Sequence, residues 1–222
     1  YNLFSTTLPK LGIECRFFFF FASEEEIEKL IDGKTKMIFT ETVANPAIIV
    51  LDFDKIARIS KKHGILFAVD NTLATPVLCR PKEWGAHIVI HSSSKYLDGH
   101  AAALGGVIVD LGNFDYKGNA RYASFNEPDE SYHGLVYADL AVPFGTKCRA
   151  QMMRDFGAIM SPQNGFISYI GSDTLALRME RHSANAQKVA LYLKNHPKIE
   201  WINHPSLPDN KYHKLAMKYM PD

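Results

Sequence analysis

The chain has 222 residues, 46% of them hydrophobic, and its 25 basic and 24 acidic side chains leave a formal net charge of +1. This length suits one large domain, or one domain with part of a second, and the composition supplies a substantial core. The balanced charge argues against a nucleic-acid-binding protein and against attachment to an anionic membrane surface.

The apolar runs and the cysteines further restrict the class of protein that the sequence can encode. The longest purely apolar run, near residues 17–22, is far shorter than the ~20 residues that a membrane span needs. Cys15, Cys79 and Cys148 are widely spaced and odd in number, which favours reduced thiols in a cytoplasmic protein. No Cys-x-x-Cys pair is present, so no structural metal site is expected. The abrupt ends at Tyr1 and Asp222 suggest a segment of a longer protein.

The first predicted elements alternate between helix and strand. A capping box at residues 23–26 begins a short helix that should end near residue 31. Residues 36–40 predict a buried strand, and residues 41–46 predict a polar turn that ends at a proline. Asp52 then predicts the N-cap of an amphipathic helix that stops near Gly64.

Three more strands are predicted in the middle of the chain, at residues 65–69, 87–91 and 105–109, with a short helical turn at 81–85. Continuous apolar strands between amphipathic helices are typical of a mostly parallel sheet that is covered on both faces. The predicted fold is therefore α/β, with three layers in the order α/β/α.

The second half is more irregular. Residues 111–134 predict a long ordered excursion, although a disordered surface insertion is a close alternative. Helices are predicted at 163–170 and at 173–195, and the apolar stripe of the longer one is formed by Leu175, Met179, His182, Ala186, Val189 and Leu193. Residues 199–202 predict the opening strand of a second, smaller sheet. We therefore expect a large domain over residues 1–195 and the start of a small domain over residues 196–222.

Several polar residues follow the ends of predicted strands: Glu41, Asn45, Asp70 and the run 92–95. Ligands of parallel α/β sheets bind outside the carboxyl ends of the strands. A lysine amine, Lys95, and a carboxylate, Asp70, at that edge suit pyridoxal phosphate, because the amine forms a Schiff base and the carboxylate keeps the pyridine nitrogen protonated. Taken singly, Asp70 also fits a simple Asx turn, and the serines fit a flexible loop.

The remaining polar groups complete this hypothesis. Ser92 and Ser94 alternate toward one side of the loop before Lys95, where hydroxyls and backbone amides can hold a phosphate. Asn45 can donate a hydrogen bond to the phenolate oxygen of the cofactor ring. Non-catalytic alternatives remain for each residue, so the hypothesis depends on their joint occurrence.

The sequence resembles the cystathionine/methionine-metabolism family of pyridoxal-phosphate enzymes, which have the aspartate-aminotransferase-like fold. The matching stretches are residues 41–46, 69–76, 91–100 and 177–186. The resemblance implies that Lys95 carries the cofactor, that Asp70 pairs with the ring nitrogen, that Ser92 and Ser94 contact the phosphate, and that Asn45 lies near the ring oxygen. The family has a glycine at the position of Ala101, where an alanine would strain a left-handed backbone.

Two stretches, residues 1–13 and 125–135, resemble the O-acetylhomoserine sulfhydrylase branch of the family. The resemblance implies γ-replacement on an O-acylated homoserine by sulfide or a thiol, in methionine biosynthesis. A γ-elimination like that of methionine γ-lyase, the chemistry of the cystathionine γ-synthase and lyase branch, and a non-catalytic scaffold are the alternatives. The implied partners are an amino-acid substrate, a sulfur donor and other copies of the chain in a homotetramer.

Overall fold

The computed structural model describes residues 1–221 and divides the chain into two compact units, Tyr1–Thr35 and Lys36–Asp222. The strands are β1 (Met37–Glu41), β2 (Val43–Ala44), β3 (Ile49–Val50), β4 (Leu66–Asp70), β5 (Ile88–Ser92) and β6 (Gly106–Asp110). The α-helices of the described residues are α1 (Glu24–Glu28), α2 (Phe53–His63), α3 (Thr75–Leu78), α4 (Ala123–Asn126), α5 (Pro143–Lys147), α6 (Arg154–Phe156), α7 (Pro162–Ser172), α8 (Leu175–Lys194) and α9 (His213–Tyr219). The expected boundary between residues 195 and 196 stays a prediction.

The first unit contains the predicted capping box. The Ser23 hydroxyl accepts a hydrogen bond from the Glu26 amide at 3.2 Å, and the Glu26 carboxylate accepts one from the Ser23 amide at 2.8 Å. This start of α1 is confirmed. The helix ends at Glu28, earlier than expected, because the amides of Leu30 and Ile31 bond three residues back and tighten the last turn.

The second unit is built on a four-stranded sheet with the order β1-β4-β5-β6. The first three strands are parallel and β6 runs antiparallel to β5. The predicted mostly parallel α/β sheet is therefore confirmed. The stretch predicted as a turn after β1 also contains strand, since β2 and β3 pair as a separate antiparallel hairpin.

One face of the sheet is covered by α2. The Asp52 carboxylate caps this helix by accepting from the Lys55 amide at 3.1 Å, and Gly64 ends it in the left-handed conformation, as the sequence predicts. Helix α2 buries Phe53 completely, and its ring lies 6.1 Å from the ring of Phe67 in β4. The covered face of β4 is therefore the one to which Phe67 points.

The excursion after β6 covers the opposite face. Tyr116 and Tyr122 are buried in one cluster with Leu66 and Ala68, which alternate with Phe67 along β4. The Tyr122 hydroxyl accepts from the Leu66 amide at 2.8 Å and donates to the carbonyl of Lys36 at 2.5 Å, so it joins the starts of β4 and β1. The predicted ordered excursion is confirmed, and the disordered alternative is wrong.

Helices α7 and α8 lie where the sequence predicts them, within two residues at each end. The predicted stripe of α8 is buried only in part: Leu175 and Met179 are buried, whereas Val189 is 55% exposed. Periodicity identifies a face suited to burial but does not supply the partner that covers it.

The strand predicted at residues 199–202 is absent from the described chain. The Ile199 amide donates to the His196 carbonyl and closes a turn there. The residues that follow do not pair as a strand. A short apolar run becomes a strand only beside a neighbour, and none is present here within residues 1–221. Among the helices of residues 1–221, none is both long and apolar enough to cross a membrane.

Candidate active site

The carboxyl ends of β1, β4 and β5 meet at one edge of the sheet. The parallel register places Glu41 beside Asp70, and Asp70 beside Ile90. Ser92 ends β5 two residues further on and leads into the lysine turn, Ser93–Leu97. The backbone amide of Asn45 donates to the Glu41 carboxylate at 3.3 Å, so the β2–β3 hairpin begins near this edge. The expected placement of these polar residues is confirmed, and their roles stay predictions.

Asp70 is linked to the lysine-bearing segment through one hydroxyl. Its Oδ1 accepts from the amide of Thr72 at 2.9 Å and from the Thr72 hydroxyl at 2.5 Å. The same hydroxyl oxygen accepts from the Ser92 amide at 2.8 Å. The simple Asx turn is therefore present, and the turn also holds the Asp70 carboxylate to the end of β5. Asp70 Oδ2 has no hydrogen-bond partner within residues 1–221.

Asn71 fixes the loop that follows Asp70, a function that the sequence did not reveal. It is fully buried, and its Oδ1 accepts from the Thr42 hydroxyl at 2.7 Å. Its Nδ2 donates to the carbonyls of Thr75 at 3.0 Å and Cys79 at 2.9 Å. Because both ends of this buried amide are satisfied, Asn71 ties the Asp70 loop to the residue after β1 and to α3.

The three serines before Lys95 have different environments. Ser92 and Ser94 are half-buried, whereas Ser93 is 1% exposed and its hydroxyl has no partner in the described residues. The Ser94 hydroxyl accepts from the Gly105 amide at 2.9 Å and donates to the Gly105 carbonyl at 3.2 Å. The side chains of Ser92 and Ser94 therefore alternate with Ser93, as the sequence indicates.

Lys95 is exposed in the middle of the lysine turn, at a backbone kink. Its φ of −105° and ψ of −116° are not helical and interrupt the turn. The Lys95 carbonyl accepts from the Gly99 amide at 2.7 Å, and the Ser93 carbonyl accepts from the Asp98 amide at 2.9 Å. These bonds close the turn around the kink, and the Lys95 side chain is exposed.

His91, the residue before Ser92, is buried next to this edge. Burial lowers the pKa of His91 below its ordinary value, and the Asp70 carboxylate opposes that shift. This shift favours the neutral form of the His91 imidazole.

The segment after the lysine turn is organised around a buried carboxylate. Asp98 Oδ2 accepts from the amides of Ala102 at 2.9 Å and Ala103 at 3.4 Å. The hydrogen bond from Ala102 is the largest cause that lowers the pKa of Asp98. Ala101 reaches this geometry with φ of +54°, in the left-handed region. The strain that the sequence predicts for an alanine at this position is present.

Replacing Ala101 with glycine should stabilise the protein. A left-handed alanine destabilises the folded state by about 1–2 kcal/mol. The greater freedom of glycine in the unfolded chain reduces the gain from removing that strain by about 0.5–1 kcal/mol. The expected net gain is about 0.5–1 kcal/mol, or a melting temperature about 1–4 °C higher, by calorimetry. Ala102→Gly is the matched control, because Ala102 does not have positive φ, and it should lower the melting temperature. A fall for both variants would contradict the predicted strain.

A lysine, a carboxylate and hydroxyls at the carboxyl edge of a mainly parallel sheet are typical of one class of enzymes, in which a lysine binds the cofactor covalently. The chain belongs to the Cys/Met metabolism PLP-dependent enzyme family, which it matches over residues 1–222.

Named relatives agree with this assignment. The chain is 42% identical to a homocysteine/cysteine synthase of Kluyveromyces lactis, over 99% of this chain and 50% of that protein. It is also 42% identical to an O-acetyl-L-homoserine sulfhydrylase of Leptospira meyeri, over 99% of this chain and 51% of that protein. A solved Campylobacter jejuni protein, assigned as an O-acetylhomoserine (thiol)-lyase and containing pyridoxyl phosphate on a lysine, superposes with a TM-score of 0.94 at 44% identity, over 99% of this chain and 54% of that one. The chain spans about half the length of the curated relatives it matches.

The residues at the sheet edge fit the cofactor of this family. Asp70 is fixed through Oδ1 and keeps Oδ2 available for a protonated ring nitrogen. The Ser92 hydroxyl has no hydrogen bond within residues 1–221, and Ser94 can turn its hydrogen from the 3.2 Å bond toward a phosphate while it still accepts from Gly105. The Asn45 side chain is exposed in the β2–β3 turn. The structure therefore brings Asp70, Ser92, Ser94 and the lysine turn together, and Asn45 lies in the neighbouring hairpin.

Proposed function

We propose that the protein containing this chain catalyses γ-replacement on an O-acylated homoserine: O-acetylhomoserine and hydrogen sulfide give homocysteine and acetic acid, and a thiol can take the place of sulfide. The observation that supports this most directly is the hydrogen-bonded connection from Asp70 through Thr72 to Ser92, which joins a carboxylate to the lysine-bearing segment. The names of the relatives supply the substrate and the sulfur chemistry.

Pyridoxal phosphate, when bound, supplies the electron sink that allows a proton to leave the substrate Cα. Lys95 would hold the cofactor covalently until the substrate amine takes its place, and the released lysine amine would then remove the Cα proton as a general base. The exposed side chain and the kinked turn leave that amine accessible to a substrate. In the part of the chain from β4 to β6, Lys95 is the lysine that follows the carboxyl end of a strand.

Asp70 has the second role. Its carboxylate stabilises a protonated ring nitrogen through Oδ2, while Thr72 and the neighbouring Asn71 network keep the carboxylate from rotating. Ser92 and Ser94 bind the phosphate, and Asn45 donates to the ring oxygen. These are the roles that the family resemblance implies for the residues.

The proposal extends to the assembly and location of the protein. Residues 1–195 belong to a cofactor-binding large domain and residues 196–222 begin a small one. The protein forms a homotetramer in the cytoplasm. The exposed apolar side chains of α7 and α8, such as Phe166 and Leu177, support further packing by other parts of the protein or by another subunit.

The test is to incubate the purified natural protein with O-acetylhomoserine or O-succinylhomoserine, each with sulfide, and to identify the products. We expect homocysteine with the acetyl substrate. Ammonia and an α-keto acid would instead identify a lyase, and no turnover together with no visible cofactor absorbance would support a non-catalytic scaffold.

A further inference from the structure

The guanidinium of Arg178, in the first turn of α8, is bound to backbone carbonyls around the lysine turn. Nη1 donates to the carbonyl of Tyr96 at 2.7 Å. Nη2 donates to the carbonyl of Gly171 at 2.7 Å and to that of Leu97 at 3.4 Å. Nε donates to the Thr174 hydroxyl at 3.0 Å. Within residues 1–221 no carboxylate pairs with this arginine, so its donors hold backbone and not another charge.

The two carbonyls that follow Lys95 need such a donor. Tyr96 and Leu97 come directly after the kink at Lys95, where the backbone leaves helical geometry. A residue in a sparsely populated backbone region costs about 1–3 kcal/mol and persists only when its surroundings fix it. Hydrogen bonds from a charged donor are stronger than those between neutral groups, and the planar fork of an arginine can hold two carbonyls in one geometry.

Two glycines make room for this contact. A Cβ at Gly99 would lie 2.3 Å from Arg178 Nη1, and a Cβ at Gly171 would lie 2.1 Å from the Asp98 carbonyl oxygen. One turn further along α8, the ring of His182 lies 5.5 Å from the ring of Tyr96. Helix α8 therefore contacts the residue after Lys95 through both its carbonyl and its side chain.

We propose that Arg178 is a positioning residue: by fixing the carbonyls of Tyr96 and Leu97 it sets the backbone at Lys95, and so directs the amine of Lys95 toward the cofactor and the substrate Cα. This inference rests on the proposed function of Lys95 as the cofactor-binding lysine. Arg178 does not contact the reacting atoms itself, and its effect reaches them through the lysine turn.

The test compares Arg178→Ala and Arg178→Lys with the natural protein. A displacement of about 1 Å at a reacting group can reduce a rate by about 10²-fold, so we expect kcat of Arg178→Ala to fall about 10- to 100-fold with KM changed less than about threefold. Arg178→Lys keeps the charge but loses the fork, and should recover only part of the rate. A pH titration of the visible absorbance of the lysine-bound cofactor should have a shifted midpoint in both variants.

Two further variants separate positioning from folding. Arg181→Ala removes an exposed arginine three residues along the same helix and should leave kcat and the absorbance titration unchanged. Gly99→Ala keeps Arg178 but drives a methyl group into its guanidinium, so its kcat should fall as in Arg178→Ala; because Gly99 has φ of +73°, this variant should also be less stable and is assayed well below its melting temperature.

The outcomes are distinct. If Arg178→Ala and Gly99→Ala lower only the melting temperature, and kcat and the titration measured well below it are unchanged, the positioning role is wrong. If the natural protein has cofactor absorbance but makes no homocysteine, the proposed reaction fails while the absorbance titration still tests Arg178. If the natural protein has no such absorbance, both proposals fail.

Discussion

Replacing Lys95 with alanine is expected to abolish γ-replacement, with a loss of about 10⁴-fold or more in kcat. The variant loses both the covalent attachment of the cofactor and the general base, and a well-placed general base alone contributes about 10²–10⁴-fold. Because Lys95 is exposed, its truncation should leave the melting temperature of the cofactor-free protein nearly unchanged. Sulfhydrylase assays and the visible absorbance of the purified variant are the measurements.

Two controls make this result specific. Lys95→Arg keeps the positive charge but cannot form the covalent link, so it should be as inactive as the alanine variant. Lys188→Ala removes an exposed lysine of α8 and should behave like the natural protein. Full sulfhydrylase activity in Lys95→Ala would refute the role of this residue and, with it, the proposed mechanism.

Replacing Asp70 with asparagine should separate the turn at this position from its charge. The asparagine Oδ1 can still accept from the Thr72 amide and hydroxyl, so the loop and the connection to Ser92 should be preserved. The negative charge that stabilises a protonated ring nitrogen is lost. We expect kcat to fall about 10²–10³-fold, the loss typical when a preorganised electrostatic contact is removed, with a melting temperature close to that of the natural protein.

The comparison variant is Asp70→Ala, which removes the charge and the turn together. It should lower kcat at least as far as Asp70→Asn and should also lower the melting temperature, because the Thr72 hydroxyl and amide lose their acceptor. Unchanged kcat in Asp70→Asn would mean that Asp70 serves only as an Asx turn. The simple Asx turn, which the sequence context of Asp70 also allows, would then be the correct interpretation.

Local signals made much of the fold predictable. The caps at Ser23 and Asp52 and the stop at Gly64 depend on residues within one turn of the chain, and the structure contains all three. The strand ends at Asp70 and Ser92 could be assigned because buried parallel strands are continuous apolar runs that stop at polar residues. This was enough to place the main candidates at one sheet edge.

What the sequence did not reveal depends on contacts between distant residues. The pairing of Asn71 with Thr42, and that of Arg178 with Tyr96, cross 29 and 82 positions of the chain, and no periodicity or spacing marks them. The strand expected at residues 199–202 failed for the same reason, because a strand depends on a neighbour as well as on its own residues. For Arg178, the only signal was its place inside a stretch shared with the family.

The outer strand of the sheet affects how the protein should be handled. Within the described residues β6 pairs only with β5, and Val107, Ile108 and Val109 follow one another along it, with Ile108 57% exposed. A β-branched strand with an open row of amides and carbonyls is a template for pairing with another copy, which leads to aggregation. Self-association along β6 should therefore lower the yield of soluble protein when residues 1–222 are expressed, and the oligomeric state has to be measured before an activity assay is interpreted.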